Sequence, residues 1–211
     1  MGIFVTLEGP DGSGKTTQAY LLVKWLREQG RDVLLTREPG GTSIGDQVRD
    51  VLHDAGNQAM DPSTEFLLYS ASRAQHVSQL ILPSLAAGRI VVSDRFADSS
   101  LAYQGYGRGL DLGILYAITA FATGSLKPDL TIYFDIAPGE GLERRLLSGE
   151  EWNRMDAEAL AFHERVHAGY WELITAEPER WKVIEANRPI EDVHAEVRIA
   201  VRARLEADRE T

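Results

Sequence analysis

Residues 9–17, GPDGSGKTT, have the residue types and spacing of a phosphate-binding loop. Gly9, Gly14, Lys15 and Thr16 match the pattern G-x-x-x-x-G-K-[ST]. Glycines let backbone N–H groups turn toward an anion, a following helix N-terminus adds partial positive charge, and lysine adds a full charge. The pattern predicts that the phosphates of a nucleoside triphosphate bind to the whole loop, which consists of Gly9, Pro10, Asp11, Gly12, Ser13, Gly14, Lys15 and Thr16.

Such a loop requires a buried strand before it and a helix after it, and the flanking sequence predicts both. Residues 3–7 are mostly apolar and rich in strand formers. After the loop, Ala19, Leu22, Val23 and Leu26 recur at i, i+3, i+4 and i+7, the spacing of an amphipathic helix. Both flanks therefore favour a phosphate loop over an ordinary glycine-rich turn.

Charged side chains follow the next two predicted strands. Arg37 and Glu38 come after residues 32–36, and Asp94 and Arg95 come after residues 90–93. Ligands in open α/β sheets bind at the carboxyl ends of the strands, so these side chains are expected beside the phosphate loop. Phosphoryl transfer requires cations that clamp the phosphates and an acid that holds Mg²⁺. Arg37 and Arg95 are candidates for the clamp, and Asp94 for the metal.

A long predicted helix carries an aromatic ring and a guanidinium on one face. Tyr69 and Arg73 stand at i and i+4 and are therefore neighbours. They could stack on a planar base and donate to its edge, or they could form a surface cation–π pair. Sequence spacing does not decide between the two. The side chains predicted to face the core from this helix are Leu67, Ala71, Ala74, Val77 and Ile81.

Strand-like and helical patterns alternate along the chain. The predicted strands are 3–7, 32–36, 90–93, 129–135 and 181–185. The predicted helices are about 15–29, 43–55, 63–87, 111–122, 138–147, 156–176 and 189–206. This alternation is typical of βαβ units. It predicts an α/β fold: a five-stranded parallel sheet with helices on both faces, in a single domain spanning 1–211.

Composition restricts the possible functions. The 211 residues include no cysteine, which excludes disulfides, thiolate metal sites and a cysteine nucleophile. The net charge of −10 argues against a nucleic-acid-binding surface. No apolar stretch approaches the ~20 residues that span a bilayer. We therefore expect a cytoplasmic protein that binds neither nucleic acid nor a membrane.

Four segments together resemble bacterial thymidylate kinases. They are Glu8-Gly9-Pro10-Asp11-Gly12-Ser13-Gly14-Lys15-Thr16-Thr17, Thr36-Arg37-Glu38-Pro39-Gly40-Gly41-Thr42, Asp94-Arg95 and Ser99-Ser100-Leu101-Ala102-Tyr103-Gln104-Gly105. They stand in the order and at the spacings of the family, and the similarity runs from residue 2 to about 205. The resemblance implies the reaction dTMP + ATP → dTDP + ADP with Mg²⁺, a P-loop nucleoside monophosphate kinase fold with a small lid at about 141–156, and a homodimer.

The resemblance also implies roles for individual residues. Tyr69, where the family more often has Phe, would stack on thymine, Arg73 would donate to a thymine carbonyl, and Tyr103 would lie beside the sugar C2′. The implied dTMP-binding residues are Asp11, Arg37, Arg49, Tyr69, Arg73, Arg95, Ser100, Tyr103 and Gln104. The implied catalytic residues are Lys15, Asp11, Arg37, Arg95, Arg144 and Arg154, and the implied metal ligands are Thr16 and Asp94.

Two positions depart from the family pattern. Phe96 stands where the family usually has Tyr or His, and Glu150 stands near a common lid arginine. Relatives without an arginine in the phosphate loop usually supply one from the lid. The lid here contains Arg144, Arg145 and Arg154, of which the first and last match common family arginines. They are therefore the predicted donors.

Three alternative functions use the same loop. A deoxynucleoside kinase binds no acceptor phosphate, so a second arginine at Arg37 argues against it. A GTPase normally reads guanine through Asn-Lys-x-Asp, a string that does not occur in this sequence. A partition-type ATPase would hydrolyse ATP without any nucleotide acceptor. A deoxynucleoside kinase or another P-loop nucleotide kinase remains the alternative to a dTMP kinase.

Overall fold

The protein folds around one five-stranded parallel sheet. The computed structural model describes residues 2–147, 149 and 153–207. Its strands are β1 (Phe4–Glu8), β2 (Val33–Arg37), β3 (Ile90–Asp94), β4 (Leu130–Asp135) and β5 (Trp181–Glu185). They lie in the order β2-β3-β1-β4-β5, and every neighbouring pair is parallel. The predicted fold class is confirmed, and each strand boundary agrees with the sequence pattern to within one residue.

Helices and short helical segments connect the strands. The α-helices are α1 (Lys15–Glu28), α2 (Ser43–His53), α3 (Pro62–His76), α4 (Leu82–Ala86), α5 (Ala97–Ser100), α6 (Leu112–Thr123), α7 (Pro138–Leu147), α8 (Leu160–Ala176) and α9 (Ile190–Ala207). π-Helical segments follow α3 (Val77–Ile81) and α5 (Leu101–Gly107), and a 3₁₀ turn (Pro178–Arg180) precedes β5. No helix in the described part of the chain is long and apolar enough to cross a membrane.

The sheet is buried on both faces, which explains why its central strands read as continuous apolar runs. Val5 and Leu7 of β1 face a core that includes Leu22 of α1 and Val197 of α9. Phe4 points to the opposite face, where it packs with residues of the α3–α4 region. Alternate residues of one strand therefore support two separate helical layers.

The sequence pattern misplaced several helical features. The helix predicted at 63–87 contains a π-helical segment, and the helix predicted from 156 begins at Leu160. The helical stretch over 97–107 was not predicted, because its residues show no amphipathic period. These differences matter because the unpredicted stretch presents Ser100, Tyr103 and Gln104 to the site.

The predicted core face of the helix at 63–87 was wrong in its first part and right in its second, where Val77 and Ile81 are buried in the core. Leu67 is 52% exposed, whereas Phe66 and Arg73 are buried. Helix α3 buries a mixed apolar and polar face, because it packs against α2, α5, α6 and the π-helical segment at 101–107, which present polar as well as apolar side chains. A count of apolar residues therefore pointed to the neighbouring face.

Strand register aligns the site. Leu7 of β1 pairs with Asp94 of β3, and Asp94 pairs with Arg37 of β2. The loops that follow these three strands therefore begin side by side at one edge of the sheet. This alignment places the phosphate loop beside the two segments that carry the predicted arginines.

The core beneath the phosphate loop should tolerate truncation poorly. Leu22 of α1 is fully buried in that core. Leu22→Ala should lower the free energy of unfolding by about 2–5 kcal/mol, because it leaves a cavity under the sheet. Leu146→Ala is the matched control, since Leu146 is 68% exposed and its truncation should change stability by less than ~0.5 kcal/mol. Urea unfolding of both variants measures the difference, and equal losses would contradict this packing.

Candidate active site

A cavity of about 480 Å³ opens at the carboxyl ends of β1, β2 and β3. Most residues predicted from the sequence line it: Asp11, Gly12, Gly14, Lys15, Thr16, Arg37, Arg49, Tyr69, Arg73, Asp94, Arg95, Ser100, Tyr103, Gln104 and Arg144. Gly9, Pro10 and Ser13 belong to the loop behind these side chains. Arg154 does not line the cavity. The fold thus gathers residues from positions 11 to 144 into one site.

The phosphate loop has a backbone that only glycine adopts easily. Gly9, Gly12 and Gly14 have φ of 144°, 75° and 85°. A Cβ at Gly12 would also lie 2.0 Å from the backbone oxygen of Gly141 in α7. Helix α1 begins at Lys15 with no side-chain cap and no acidic residue in its first turn. Its N-terminal N–H groups are therefore available to an anion.

Lys15 is buried at the centre of the loop. Its Nζ donates to the carbonyl oxygen of Pro10 at 2.6 Å and to Ser13 Oγ at 3.3 Å. Burial and the nearby charge of Arg95 lower the pKa of Lys15 to about 8. The ammonium is therefore largely charged at pH 7, and it is held by weak neutral acceptors that a phosphate oxygen can replace.

Thr16 and Asp94 form the candidate metal position. Thr16 Oγ1 donates to Asp94 Oδ2 at 2.5 Å, across the edge shared by α1 and β3. Hydroxyl and carboxylate oxygens are hard ligands that suit Mg²⁺, which usually takes few protein ligands and completes its shell with water and phosphate. Among the described residues no group of three or more His, Cys, Asp or Glu could hold a metal by itself. The two side chains fit an ion that binds together with a nucleotide.

Asp11 and Arg95 form an ion pair at the cavity wall. Arg95 Nη2 lies 2.6 Å from Asp11 Oδ1, and Tyr103 Oη donates to Asp11 Oδ2 at 3.1 Å. Burial alone would raise the pKa of Asp11, but the charges of Arg95 and Lys15 and these hydrogen bonds outweigh it and lower the pKa. Asp11 therefore stays ionised and holds the guanidinium and the tyrosine hydroxyl in place.

A fully buried carboxylate, Glu8, supports Arg95 from behind. Arg95 has φ of 70°, an uncommon conformation for a non-glycine residue. Glu8 accepts the N–H of Phe96 at 2.8 Å and the hydroxyls of Ser99 and Tyr170 at 2.5 and 2.8 Å. Burial, with a contribution from Asp98, raises the pKa of Glu8 to about 7. These bonds fix the loop that presents Arg95.

Arg73 is buried and leaves one nitrogen for a ligand. Its Nε donates to Glu38 Oε2 at 2.8 Å, and its Nη2 donates to Ser100 Oγ at 2.9 Å. Its Nη1 is buried and has no protein hydrogen-bond partner in the structure. His76 also binds Glu38, at 2.9 Å. The alternative that Arg73 forms a cation–π pair on the protein surface is wrong, because Arg73 is only 1% exposed.

Arg37 and Arg49 add positive charge on the β2 side. Arg37 is half-exposed and pairs with Asp46 at 3.2 Å, while Arg49 donates to the carbonyl of Pro39 at 3.1 Å. Burial and the nearby Arg37 charge lower the pKa of Arg49. Burial and Arg49 lower the pKa of His53 to about 4, so this histidine is neutral at pH 7. The two arginines lie close enough for their charges to interact, and each has a protein partner at more than 3 Å.

The lid arginines have different surroundings. Arg144 donates to Ala186 O at 3.1 Å and to Asn187 Oδ1, and it lines the cavity. Arg145 also lines it and pairs with Asp156 at 3.2 Å. Arg154 instead forms a buried ion pair with Glu65 at 2.5 Å. This placement gives the catalytic role predicted for Arg154 no support. Glu150, the other lid position discussed above, lies outside the described residues.

Sequence reasoning missed the residues that hold the arginines. Glu38 lay inside a recognised motif, but its partner His76 carried no signal. Tyr170 is distant in sequence from every motif, yet it donates to Glu8. For Glu8 a signal existed, since a carboxylate that ends an apolar strand needs a buried partner.

The chain matches known proteins over nearly all its length. The family model described as "Thymidylate kinase" matches residues 7–197. A thymidylate kinase of Roseiflexus sp. (strain RS-1) is 54% identical over 202 residues, covering 90% of this chain and 89% of the relative. One of Clostridium novyi (strain NT) is 49% identical, covering 93% and 97%.

A solved structure agrees with these relatives. The crystal structure of thymidylate kinase from Ehrlichia chaffeensis superposes with a TM-score of 0.77 at 35% identity, covering 95% of this chain and 98% of that one. The strand order, the phosphate loop and the arginine-lined cavity are thus accompanied by full-length similarity in sequence and in structure. The chain belongs to the thymidylate kinase family.

Proposed function

We propose that this protein transfers the γ-phosphoryl group of ATP to dTMP, forming dTDP and ADP. The supporting observation is a second set of cations, Arg37, Arg49 and Arg95, that lines the same cavity as the phosphate loop. An ATPase or a nucleoside kinase has to bind only the phosphates of the donor nucleotide, for which the loop is enough. A monophosphate kinase must also bind the phosphate of its acceptor. dTDP formed in the cytoplasm supplies dTTP for DNA synthesis.

The donor and acceptor phosphates use different parts of the cavity. The N–H groups of the phosphate loop and Lys15 bind the ATP phosphates, and Lys15 stabilises charge that develops on the transferred group. Arg37 and Arg95 bind the dTMP phosphate and hold its oxygen in line with the donor. Asp11 orients Arg95 through their ion pair and accepts a hydrogen bond from the sugar 3′-OH.

The base and sugar of dTMP lie deeper in the cavity. Tyr69 stacks on thymine, and Arg73 donates through its unpartnered Nη1 to a base carbonyl. Ser100 and Gln104 contact the base edge. Tyr103, held by Asp11, lies beside C2′ and disfavours a ribose hydroxyl.

Magnesium is the proposed cofactor, held by Thr16 and Asp94 together with the ATP phosphates. When bound, Mg²⁺ would neutralise negative charge that develops on the ATP phosphates during transfer. The protein contributes the placement of the two ligands, since Asp94 ends β3 and Thr16 lies in the first turn of α1.

The lid contributes a further cation, for which the geometry favours Arg144 over Arg154. The phosphate loop contains no arginine, so charge between donor and acceptor must be balanced from elsewhere. Arg144 reaches the cavity, and its present partners are a backbone carbonyl and a neutral amide. Such partners exchange more readily for a phosphate than Glu65, the partner of Arg154, does.

We also propose a homodimer that forms through the exposed faces of α3 and α6. These two helices pack together. Leu67 of α3 and Ile114 and Phe121 of α6 are 52%, 59% and 90% exposed. Apolar side chains grouped on neighbouring helices mark an interaction surface, and a second copy of the chain can bury the same patch about a twofold axis.

A coupled assay of ADP release tests the proposed reaction. With purified protein, ATP and Mg²⁺, we expect rapid ADP formation with dTMP, and formation at least ~100-fold slower with thymidine or without an acceptor. Thymidine serves as the control because it lacks only the phosphate. Equal rates with thymidine would indicate a nucleoside kinase, and ADP release that needs no acceptor would indicate an ATPase.

Mutations should distinguish Arg95, which is proposed to bind the dTMP phosphate, from Arg73, which is proposed to bind the base. Arg95→Ala should raise the KM for dTMP at least ~tenfold and leave the inhibition constant of thymidine within ~threefold, because Arg95 binds the phosphate. Arg73→Ala should weaken both, because it binds the base. Thermal unfolding of each variant is recorded beside the kinetics. The opposite ranking of the two variants would exchange the assignments.

The lid proposal predicts different effects for two arginines. Arg144→Ala should lower kcat at least ~tenfold with little change in the KM for dTMP, since a cation that acts in the transition state contributes to turnover. Arg154→Ala should chiefly lower thermal stability, because it leaves Glu65 with one cation fewer. If Arg154→Ala lowers kcat with unchanged stability, the lid rearranges during turnover and Arg154 is the donor.

The dimer proposal is tested by charge substitution. Phe121→Glu should convert the dimer to a monomer in light scattering, because it places a charge in the apolar contact. Ile199→Glu on α9, at 65% exposure, is the matched control and should leave the dimer intact. A dimer that survives Phe121→Glu and dissociates with the control would place the interface on α9.

A further inference from the structure

A buried carboxylate on α3 binds a base-contacting residue from behind. Glu65 is fully buried. Its Oε1 accepts hydrogen bonds from Gln104 Nε2 at 2.7 Å and from Arg108 Nε at 3.2 Å. Its Oε2 accepts a hydrogen bond from Arg108 Nη2 at 3.0 Å. Arg154 Nη1 lies 2.5 Å from the same Oε2. Among these partners, Gln104 also lines the cavity.

The charge of Glu65 determines which end of the Gln104 amide faces it. Burial alone would raise the pKa of Glu65, but hydrogen bonds from Arg108 and Gln104 and the charges of Arg108 and Arg154 outweigh it and lower the pKa. An ionised carboxylate accepts hydrogen bonds and donates none. Only the NH₂ end of Gln104 can therefore contact Glu65, which leaves the carbonyl end, an acceptor, for the cavity.

We propose that Glu65 is a specificity-positioning residue, which orients the Gln104 amide so that the cavity offers a hydrogen-bond acceptor to a base N–H group. This inference rests on the proposed dTMP kinase function, and it adds the selection of a thymine-type base. The adjacent base-contacting residue, Arg73, offers a donor through its unpartnered Nη1. An acceptor beside a donor matches the N3–H and C4 carbonyl of thymine.

The same pair rejects cytosine. In 5-methylcytosine, N3 is an acceptor and the C4 substituent is an amine donor, so each would face a group of its own kind. A site built to hydrogen-bond a substrate rejects an analogue that leaves its buried groups unpaired by as much as ~10⁴-fold. The orientation of one amide thus has a large effect on which base is accepted.

Glu65→Gln should reverse this orientation. Arg108 Nη2 and Arg154 Nη1 both face the Oε2 position and can only donate, so they keep the single carbonyl oxygen of the introduced amide there. The NH₂ group then takes the Oε1 position facing Gln104, at the cost of the longer bond from Arg108 Nε. Gln104 must then present its own carbonyl to this NH₂ group and its own NH₂ to the cavity. We expect the ratio of kcat/KM for dTMP over 5-methyl-dCMP to fall at least ~tenfold in this variant.

Arg108→Ala is the matched control. It removes a partner of Glu65 and of Glu158, and so disturbs the same buried network. It leaves the carboxylate and its bond to Gln104 in place. We expect lower thermal stability but a substrate ratio within ~threefold of wild type. A ratio that falls equally in Arg108→Ala would make the effect one of general disruption and overturn the proposal.

A measurement on the wild-type protein covers the case in which Glu65→Gln does not fold. NMR should detect a scalar coupling across a hydrogen bond between N3 of ¹⁵N-labelled dTMP and the side-chain carbonyl carbon of Gln104. Contact of the base with the Gln104 NH₂ group instead would overturn the proposal. So would a folded Glu65→Gln variant with an unchanged ratio. If the wild-type protein does not phosphorylate dTMP at all, that result contradicts the proposed function itself, and it is distinct from the outcomes that contradict the role of Glu65.

Discussion

The site depends on concentrating positive charge in a protein that is acidic overall. Seven cationic side chains and three carboxylates line the cavity in the described part of the chain, whereas the whole chain carries a net charge of −10. Like charges held together and partly desolvated repel one another, and this repulsion is relieved when phosphates bind. The fold must therefore hold these cations in place before a ligand arrives, and much of the surrounding structure does so.

Buried carboxylates provide that support. Glu8 accepts a hydrogen bond from the backbone of the loop that carries Arg95. Glu38 accepts one from Arg73, and Glu65 accepts one from Gln104. Each accepts several hydrogen bonds at once, which offsets the cost of burying it. Preorganised groups do not have to rearrange when charge develops during phosphoryl transfer. In the proposed reaction, these carboxylates would fix the side chains that touch the substrate.

Helix α7, at the start of the predicted lid, is in close backbone contact with the phosphate loop. Gly12 and Gly141 approach so closely that a Cβ on Gly12 would meet the Gly141 carbonyl oxygen, and a Cβ on Gly141 would meet Asp11 O. The start of α7 therefore rests on the phosphate loop. Arg144 lies three residues further along α7, on the helix whose start is in contact with the phosphate loop.

The amino-acid sequence by itself determined the strands, the fold class, the phosphate loop and most cavity residues, because these depend on local periodicity and on motifs of fixed spacing. It did not reveal the helical stretch over 97–107 or the buried face of α3, where packing against neighbouring helices overrides the apolar pattern. The partners of Glu8, Glu38 and Glu65 join positions up to 162 residues apart. Only the tertiary structure decided those pairings, and with them whether Arg154 points to the phosphates or to Glu65, because side-chain direction depends on neighbours that sequence spacing does not specify.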